Sequence, residues 1–198
     1  MRAQELIPAF IWETRIMIDY CCELPKDSGQ IEHLLDRAFG PGRFAKTAYR
    51  LREAVDYIPE LSLVAWEEGV MRGSLRFWPI EIGDAHTPAL LLGPLVVDPE
   101  HRGRGIALRL MELSLQKAAE LGHSIVVLVG DEPYYARVGF SAAAARGLSM
   151  PGPVDRARLL ARELVPGALN GISGLIHKTH PAKVSTHSQP TERLVANQ

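Results

Sequence analysis

Hydrophobic positions near the start of the chain recur with the period of a helix. Between residues 30 and 39 the apolar side chains stand at i, i+3, i+4, i+7 and i+8, which predicts an amphipathic helix. Asp27 or Ser28 stands where a cap is needed, and Gly40 stands where the helix would end. A second stripe of this kind occupies residues 44 to 55 and predicts another short helix. We therefore expect two short helices in succession.

The following segments have the pattern of strands. Residues 61 to 67 and 71 to 78 are apolar or aromatic runs separated by Glu68-Gly69, which predicts a hairpin with a possible bulge at Gly73. Residues 89 to 97 are almost all apolar, which indicates a strand buried on both faces at the centre of a sheet. An earlier strand is expected near residues 11 to 19.

Strand and helix patterns alternate in the second half of the chain. A helical stripe over residues 103 to 121 ends at Gly122, and an apolar strand follows at 124 to 129. Together with the strand before it, this makes a strand-helix-strand unit. A short helix from Pro133 to Val138 and a strand at 159 to 165 complete a mixed α/β topology.

Length, composition and charge fit one soluble domain. The chain has 198 residues, a hydrophobic fraction of 46% and a net charge of −1, so nothing global favours nucleic acid or a membrane. We expect one domain over residues 1 to 177 and a loose polar tail over 178 to 198. Without a signal peptide or a long apolar run, and with Cys21 and Cys22 as thiols, the chain is expected to be cytoplasmic.

The loop between the predicted central strand and the long helix has the features of an anion site. Gly103 and Gly105 leave the first amides of the helix open, Arg102 and Arg104 add positive charge, and the helix dipole favours an anion. Strand-to-helix turns also use glycine for geometry alone. A nucleotide P-loop is excluded because no Gly-Lys-Ser/Thr follows, and a dinucleotide fingerprint would need glycine where Leu108 stands.

Several segments match motifs of one enzyme superfamily. The segment Leu95-Val96-Val97-Asp98-Pro99, running into Arg102-Gly103-Arg104-Gly105-Ile106-Ala107, resembles the Arg/Gln-x-x-Gly-x-Gly/Ala motif of GNAT acetyltransferases. Tyr135-Ala136-Arg137-Val138-Gly139-Phe140 is similar to the Tyr-x-x-x-Gly-Phe stretch of the same superfamily. Three further segments resemble its YhbS-like branch: Leu92-Gly93-Pro94-Leu95, Val129-Gly130-Asp131 with Pro133-Tyr134-Tyr135, and Leu164-Val165-Pro166-Gly167-Ala168-Leu169. The likeness spans roughly residues 28 to 177.

The resemblance implies a fold and a donor site. The fold would be a twisted, largely antiparallel sheet with a central splayed parallel pair, flanked by helices, and acetyl-CoA would lie where that pair diverges. Pantetheine would pair with the backbone of Leu95, Val96 and Val97. The diphosphate would lie on the amides of Gly103, Arg104, Gly105, Ile106 and Ala107, near the side chains of Arg102 and Arg104.

The resemblance also implies an activity, the transfer of an acetyl group to the amine of a small molecule or a protein. Tyr135 would be the acid that assists the leaving thiolate, with Tyr134 as a second candidate. The acceptor pocket would be walled by residues 39 to 44 and 150 to 154. We expect a monomer or a homodimer.

The general base and a metal are the open points of this interpretation. The central strand, residues 89 to 97, has no carboxylate or histidine, and the acids near the hairpin, Glu67 among them, are interpreted as solvated surface groups. A non-catalytic acyl-CoA-binding or regulatory module is therefore the alternative function. No metal is expected, since His177, His180 and His187 lie at or near the polar tail. No nucleophilic role is expected for Cys21 and Cys22, because no motif pairs them with a histidine.

Overall fold

The computed structural model describes residues 17–179. The strands in this range are β1 (Asp19–Cys22), β2 (Leu63–Glu67), β3 (Val70–Ile82), β4 (Thr87–Val97), β5 (Ile125–Val129), β6 (Leu148–Ser149), β7 (Leu159–Glu163) and β8 (Gly174–Lys178). The helices in this range are α1 (Ser28–Phe39), α2 (Thr47–Arg50), α3 (Ile106–Glu120) and α4 (Glu132–Tyr135). Short 3-10 turns connect several of these elements.

Six of the strands form one continuous sheet in the order β1-β2-β3-β4-β5-β7. Every neighbouring pair in that order is antiparallel except β4 and β5, which are parallel. β8 adds to the far end of β3, and the two-residue β6 pairs in parallel with β8. The prediction of a mixed α/β fold with a central parallel pair is confirmed.

The core lies on both faces of the central strand β4. Leu90 and Leu92 pack on the face covered by α3, where Leu110 is one of the fully buried contacts. Leu91 packs on the opposite face, in a cluster that includes Ile176 of β8. Each such leucine contributes roughly 2 kcal/mol through the apolar surface that it removes from water. The prediction that this strand is central and buried on both faces is confirmed.

The two parallel strands pair over a short distance and then separate. Their register is limited to Leu90 with Val126 and Leu91 with Val127. Just beyond, the register of β4 against β3 shifts, so that two β4 residues, Gly93 and Pro94, lie opposite the single residue 76 of β3. Such a bulge bends a strand. Beyond Leu91 the edge of β4 that faces β5 has no strand partner among residues 17–179, and a cleft opens there.

Several predicted elements differ from the observed ones. The second helix, expected over residues 44 to 55, is limited to the single turn of α2, because the chain leaves helical geometry after Leu51 and Ala54 takes a left-handed φ of 58°. The strand expected near 11 to 19 lies mostly outside the described residues, and the strand that is described begins at Asp19. The hairpin is confirmed, with its bulge between Met71 and Gly73.

The long helix is shorter at its start than the predicted stripe over residues 103 to 121. α3 begins at Ile106, close to the expected start near Gly105, and Gly103 and Gly105 lie in the loop because both have positive φ and cannot be part of a regular helix. The last strand includes Lys178. The remainder of the polar tail, residues 180–198, lies outside the described residues, and the division at 177 stays a prediction. Among residues 17–179, no helix has the length and apolar character needed to cross a bilayer.

Candidate active site

A first cavity of about 550 Å³ lies where β4 and β5 diverge. It is bounded by the end of β4, the loop before α3, the first turn of α3 and the segment after β5. The lining includes these residues that the sequence nominated: Leu95, Val96, Val97, Arg102, Gly103, Gly105, Ile106, Ala107 and Tyr135. Distant parts of the chain are therefore brought together at one cleft.

The first turn of α3 presents free backbone donors to this cavity. The first hydrogen bond at the start of the helix runs from the amide of Arg109 to the carbonyl of Gly105. The amides of Ile106, Ala107 and Leu108 precede it, so the helix itself supplies them with no acceptor. Because Gly105 has a φ of 81° and no side chain, the loop turns sharply into the helix and leaves these amides accessible. Such a turn suits a phosphate or diphosphate group.

The side chain of Arg104 is directed away from this cavity and onto Glu67. Its Nη2 and Nη1 atoms lie 2.5 Å and 3.1 Å from the two carboxylate oxygens of Glu67, a bidentate pair. The hydrogen bond from Arg104 holds the pKa of Glu67 below its usual range. The guanidinium therefore holds the loop in place through Glu67. The family resemblance implies a different position for it, beside the diphosphate.

Glu67 is a buried acid, which corrects its interpretation as a solvated surface group. Its side chain is only 5% exposed, and besides Arg104 it lies 3.2 Å from Nε2 of His101 and 3.3 Å from Nε of Arg72. Nη1 of Arg72 also lies 3.2 Å from Oδ2 of Asp98, and the Asp98 carboxylate accepts a hydrogen bond from the amide of Glu100. This network ties the β2–β3 hairpin to both ends of the loop that precedes α3.

Two arginines lie at the cavity without a carboxylate partner among residues 17–179. Arg102 stands in the loop, and Arg137 follows α4; both line the cavity and both are exposed. Arg137 belongs to the Tyr-x-x-x-Gly-Phe stretch, but no binding role is predicted for it from the sequence. With the free amides between them, these cations make the cleft attractive to a polyanion.

Tyr135 lines the cleft and is held by its neighbours. Its ring packs edge-on against Tyr134 at 5.2 Å and Phe140 at 6.2 Å between centroids. The ring also lies against the backbone of Gly130 at the end of β5, so close that a side chain at Gly130 would collide with it. Burial, with a smaller effect from Tyr134, raises the pKa of Tyr135 to about 12. The phenol is therefore protonated, and a hydrogen-bond donor, throughout the physiological range.

A second cavity, of about 530 Å³, adjoins the first. Four residues line both cavities: Phe39, Leu95, Asp131 and Tyr135. The walls of the second cavity come from the segment after α1 and from the loop before β7, which Thr47 joins by donating its hydroxyl to the carbonyl of Pro153 at 2.8 Å. Parts of both predicted acceptor walls, residues 39 to 44 and 150 to 154, therefore line it. Tyr135 lies at the boundary between the cavities.

The sequence alone missed several residues of the second cavity. Arg52 and Asp131 come from two different segments, and Arg43, although inside the predicted wall 39 to 44, was not singled out; the proximity of these charged groups depends on the fold. Asp131 was visible only as part of a motif; it pairs with Arg158 at 3.3 Å. Over residues 17–179, no three His, Cys, Asp or Glu side chains come together in a way that could hold a metal ion.

A family model described as the acetyltransferase (GNAT) domain matches residues 25–143 of this chain. The chain belongs to the GNAT acetyltransferase family. The match includes the loop before α3, Tyr135 and the bulge of β4, so the cleft described above lies in the part of the chain that defines the family.

Individual relatives support the same assignment. The uncharacterized N-acetyltransferase YhbS of Escherichia coli (strain K12) is 35% identical over 155 residues, which are 78% of this chain and 92% of that protein. Two solved structures of GNAT proteins, each 30% identical, also match. The complex of YhbS from Escherichia coli with CoA has a TM-score of 0.72 and covers 89% of this chain and 94% of that one. An acetyltransferase of Brucella melitensis in complex with acetyl-CoA has a TM-score of 0.52 over 73% of this chain and 95% of that one.

These similarities confirm the resemblance to the GNAT family and its YhbS-like branch. They also confirm the largely antiparallel sheet with a splayed parallel pair, because a GNAT protein of known structure overlays on most of this chain. The individual roles of the cleft residues are a separate matter and follow from the geometry.

Proposed function

We propose that this protein transfers the acetyl group of acetyl-CoA directly to an amine that enters through the second cavity. The observation that carries the proposal is the pair of adjoining cavities with Tyr135 at their boundary. One cavity has the free amides and cations that suit a diphosphate, and the same tyrosine also lines the other. A direct transfer needs two substrates that meet at one point.

The donor would bind along the unpaired edge of β4. Pantetheine would hydrogen-bond to the backbone of Leu95, Val96 and Val97, as an added strand does. Its diphosphate would lie on the amides at the start of α3, near Arg102 and Arg137. Gly103 and Gly105 would let the chain approach the diphosphate closely. Arg104 would act indirectly, by holding the loop in place through its ion pair with Glu67.

Tyr135 would assist the departure of the CoA thiolate. An amine must lose a proton before it attacks the thioester carbon, and water can accept that proton because the second cavity is open to solvent. The C–N bond forms, the nitrogen of the tetrahedral intermediate releases its second proton to water, the C–S bond breaks, and the sulfur leaves with the bonding electron pair. The protonated phenol of Tyr135 donates a hydrogen bond to that sulfur and replaces any transferred proton from water. A well-placed general acid contributes roughly 10²- to 10⁴-fold in rate.

The test follows free thiol after the protein is mixed with acetyl-CoA and a panel of amines. We expect at least one amine to raise thiol release above the hydrolysis background, and Tyr135→Phe to reduce that turnover while acetyl-CoA still raises the melting temperature. If no amine releases thiol although acetyl-CoA stabilises the protein, the chain is the acyl-CoA-binding module instead. Unchanged turnover in Tyr135→Phe would remove the tyrosine from the mechanism.

A further inference from the structure

Arg52 is a mostly buried cation in the second cavity without a carboxylate partner among residues 17–179. It follows α2 in the chain and lines the cavity together with Tyr49. Its Nε atom is buried and has no hydrogen-bond partner in the described part of the protein. Burial, together with the positive charge of Arg76, lowers the pKa of Arg52 to about 10, which still leaves the guanidinium charged at neutral pH. An unneutralised charge in such a place is unfavourable unless a ligand supplies the partner.

The other cations of this cavity have their own partners. Arg43 lies 2.8 Å from Glu32 and 2.9 Å from Asp36. Arg158 pairs with Asp131, and Lys46 lies over the ring of Phe39 at 5.4 Å from its centroid. Arg52 is therefore distinguished by being mostly buried without a carboxylate partner among residues 17–179, whereas Lys46, which has only the ring as partner, is exposed.

The position of Arg52 places its guanidinium at the bulge of β4. Its Nη2 atom would lie 3.1 Å from a Cβ added at Gly93, so the guanidinium packs against the bare backbone of the bulge. Gly93 has a φ of 119°, which only glycine adopts readily, and any side chain there would crowd the arginine. The same cavity has Tyr135 on its boundary with the donor cleft. A molecule in this cavity can therefore reach Arg52 from the space that Tyr135 also borders.

We propose that the acceptor is a small amine that also carries an anionic group, a carboxylate or a phosphate, and that Arg52 binds this group. The inference rests on the proposed function and specifies its substrate class. The planar guanidinium donates two parallel hydrogen bonds to either kind of oxyanion, which a lysine does not reproduce. A cavity of about 530 Å³ is in the range of sites for small molecules.

The first experiment measures thiol release from acetyl-CoA with matched pairs of amines. The pairs are glycine with glycinamide, L-phenylalanine with L-phenylalaninamide, and phosphoethanolamine with ethanolamine. For the wild-type protein we expect the anionic member of at least one pair to have the higher kcat/KM, and Arg52→Gln to reduce that preference about tenfold. The ratio is compared between proteins, so differences in amine pKa cancel. The first two pairs report a carboxylate and the third a phosphate.

A neighbouring arginine gives a matched control. Arg50→Gln makes the same change two residues earlier, on an exposed side chain that does not line the cavity, and should keep the wild-type preference. Arg52→Lys, which retains the charge without the fork, should lose part of the preference. Stabilisation by acetyl-CoA in every variant shows that the donor cleft is intact.

Two results would overturn the inference while leaving the enzyme assignment in place. One is turnover without any preference for an anionic amine in the wild type. The other is an equal loss of kcat/KM for both members of each pair in Arg52→Gln. That result would mean that Arg52 acts on the thioester or stabilises the fold. If no amine turns over, saturation-transfer NMR with the same pairs and acetyl-CoA decides separately: binding of an anionic amine that disappears in Arg52→Gln supports the inference, and no such binding refutes it.

Discussion

The ring of Tyr135 lies against the backbone of Gly130, in space that any side chain at Gly130 would occupy. A Cβ added there would stand 2.8 Å from Cδ2 and 3.0 Å from Cζ of the tyrosine. Gly130 directly follows β5, and its amide donates to the carbonyl of Arg158 at 2.9 Å, a bond that alanine would keep. The missing side chain thus sets where the phenol stands between the two cavities.

Replacing Gly130 with alanine should therefore displace Tyr135 without unfolding the strand. We expect kcat to fall roughly ten- to a hundredfold, because small displacements of a catalytic group cost that much, while the Kd of acetyl-CoA changes little. Steady-state kinetics and calorimetry measure the two quantities. In the double variant Gly130→Ala/Tyr135→Phe the losses should not add, since both substitutions act on one phenol. Additive losses would mean that Gly130 has a role of its own.

The raised pKa of Tyr135 predicts a change of stability at alkaline pH. The unfolded phenol ionises near pH 10 and the folded one near 12, so the free energy of unfolding should fall as pH rises through that interval. Relative to Tyr135→Phe, wild type should lose on the order of 2 kcal/mol. Urea unfolding at pH 9 and at pH 11.5 measures the difference. A constant difference between the two proteins would show that the phenol is not buried as described.

Substitutions at Arg102 and Arg104 should have different effects, the first on acetyl-CoA binding and the second on stability. Arg102→Gln removes a cation that lines the cleft, and we expect it to weaken acetyl-CoA binding roughly tenfold, with a reduced dependence on salt. Arg104→Gln removes the partner of Glu67, so its main effect should be a lower melting temperature. Calorimetry and thermal unfolding of both variants make the comparison. A larger loss of acetyl-CoA affinity in Arg104→Gln than in Arg102→Gln would show that the Arg104 guanidinium contacts the diphosphate.

Glu67 should stabilise the fold only where it is ionised. Because Arg104 holds its folded pKa below the ordinary value of 4.5, its contribution is present above that value and is lost as pH falls through the folded pKa. Glu67→Gln should therefore be less stable than wild type at pH 7, and the difference should shrink at an acidic pH well below 4.5. The neighbouring exposed Glu68 provides the control, since Glu68→Gln should have little effect at either pH. A difference that persists at low pH would indicate a packing defect.

Local pattern predicted the elements that place the site, but not the contacts between them. Helical period and paired glycines indicated α3 and its open amides, and the apolar run of β4 indicated a central strand, because these signals lie within a few residues of sequence. Glu67 was misread because it precedes a hairpin turn, although strand alternation puts it on the face of the buried Ala65. Its partner Arg104 is 37 residues away, and only the fold brings them together.

The second cavity was even less accessible from sequence. The stripe over residues 44 to 55 predicted a longer helix, whereas α2 ends after one turn and the chain bends. That bend brings Arg52 to the bulge at Gly93, on a strand 41 residues later in the chain. Apolar spacing cannot predict where a helix yields to tertiary packing, so the charged lining of this cavity could not be anticipated.

The ion-pair network under the α3 loop has a consequence for how fast the donor is captured. Glu67, Arg72 and Asp98 hold the loop in its turned geometry in the free protein, so little chain entropy remains to be lost when a diphosphate arrives. Association is then limited by encounter and by the steering charges at the rim of the cleft, not by ordering of the loop. Weakening these ion pairs should therefore lower the association rate constant of acetyl-CoA, even where every group that touches the donor is unchanged.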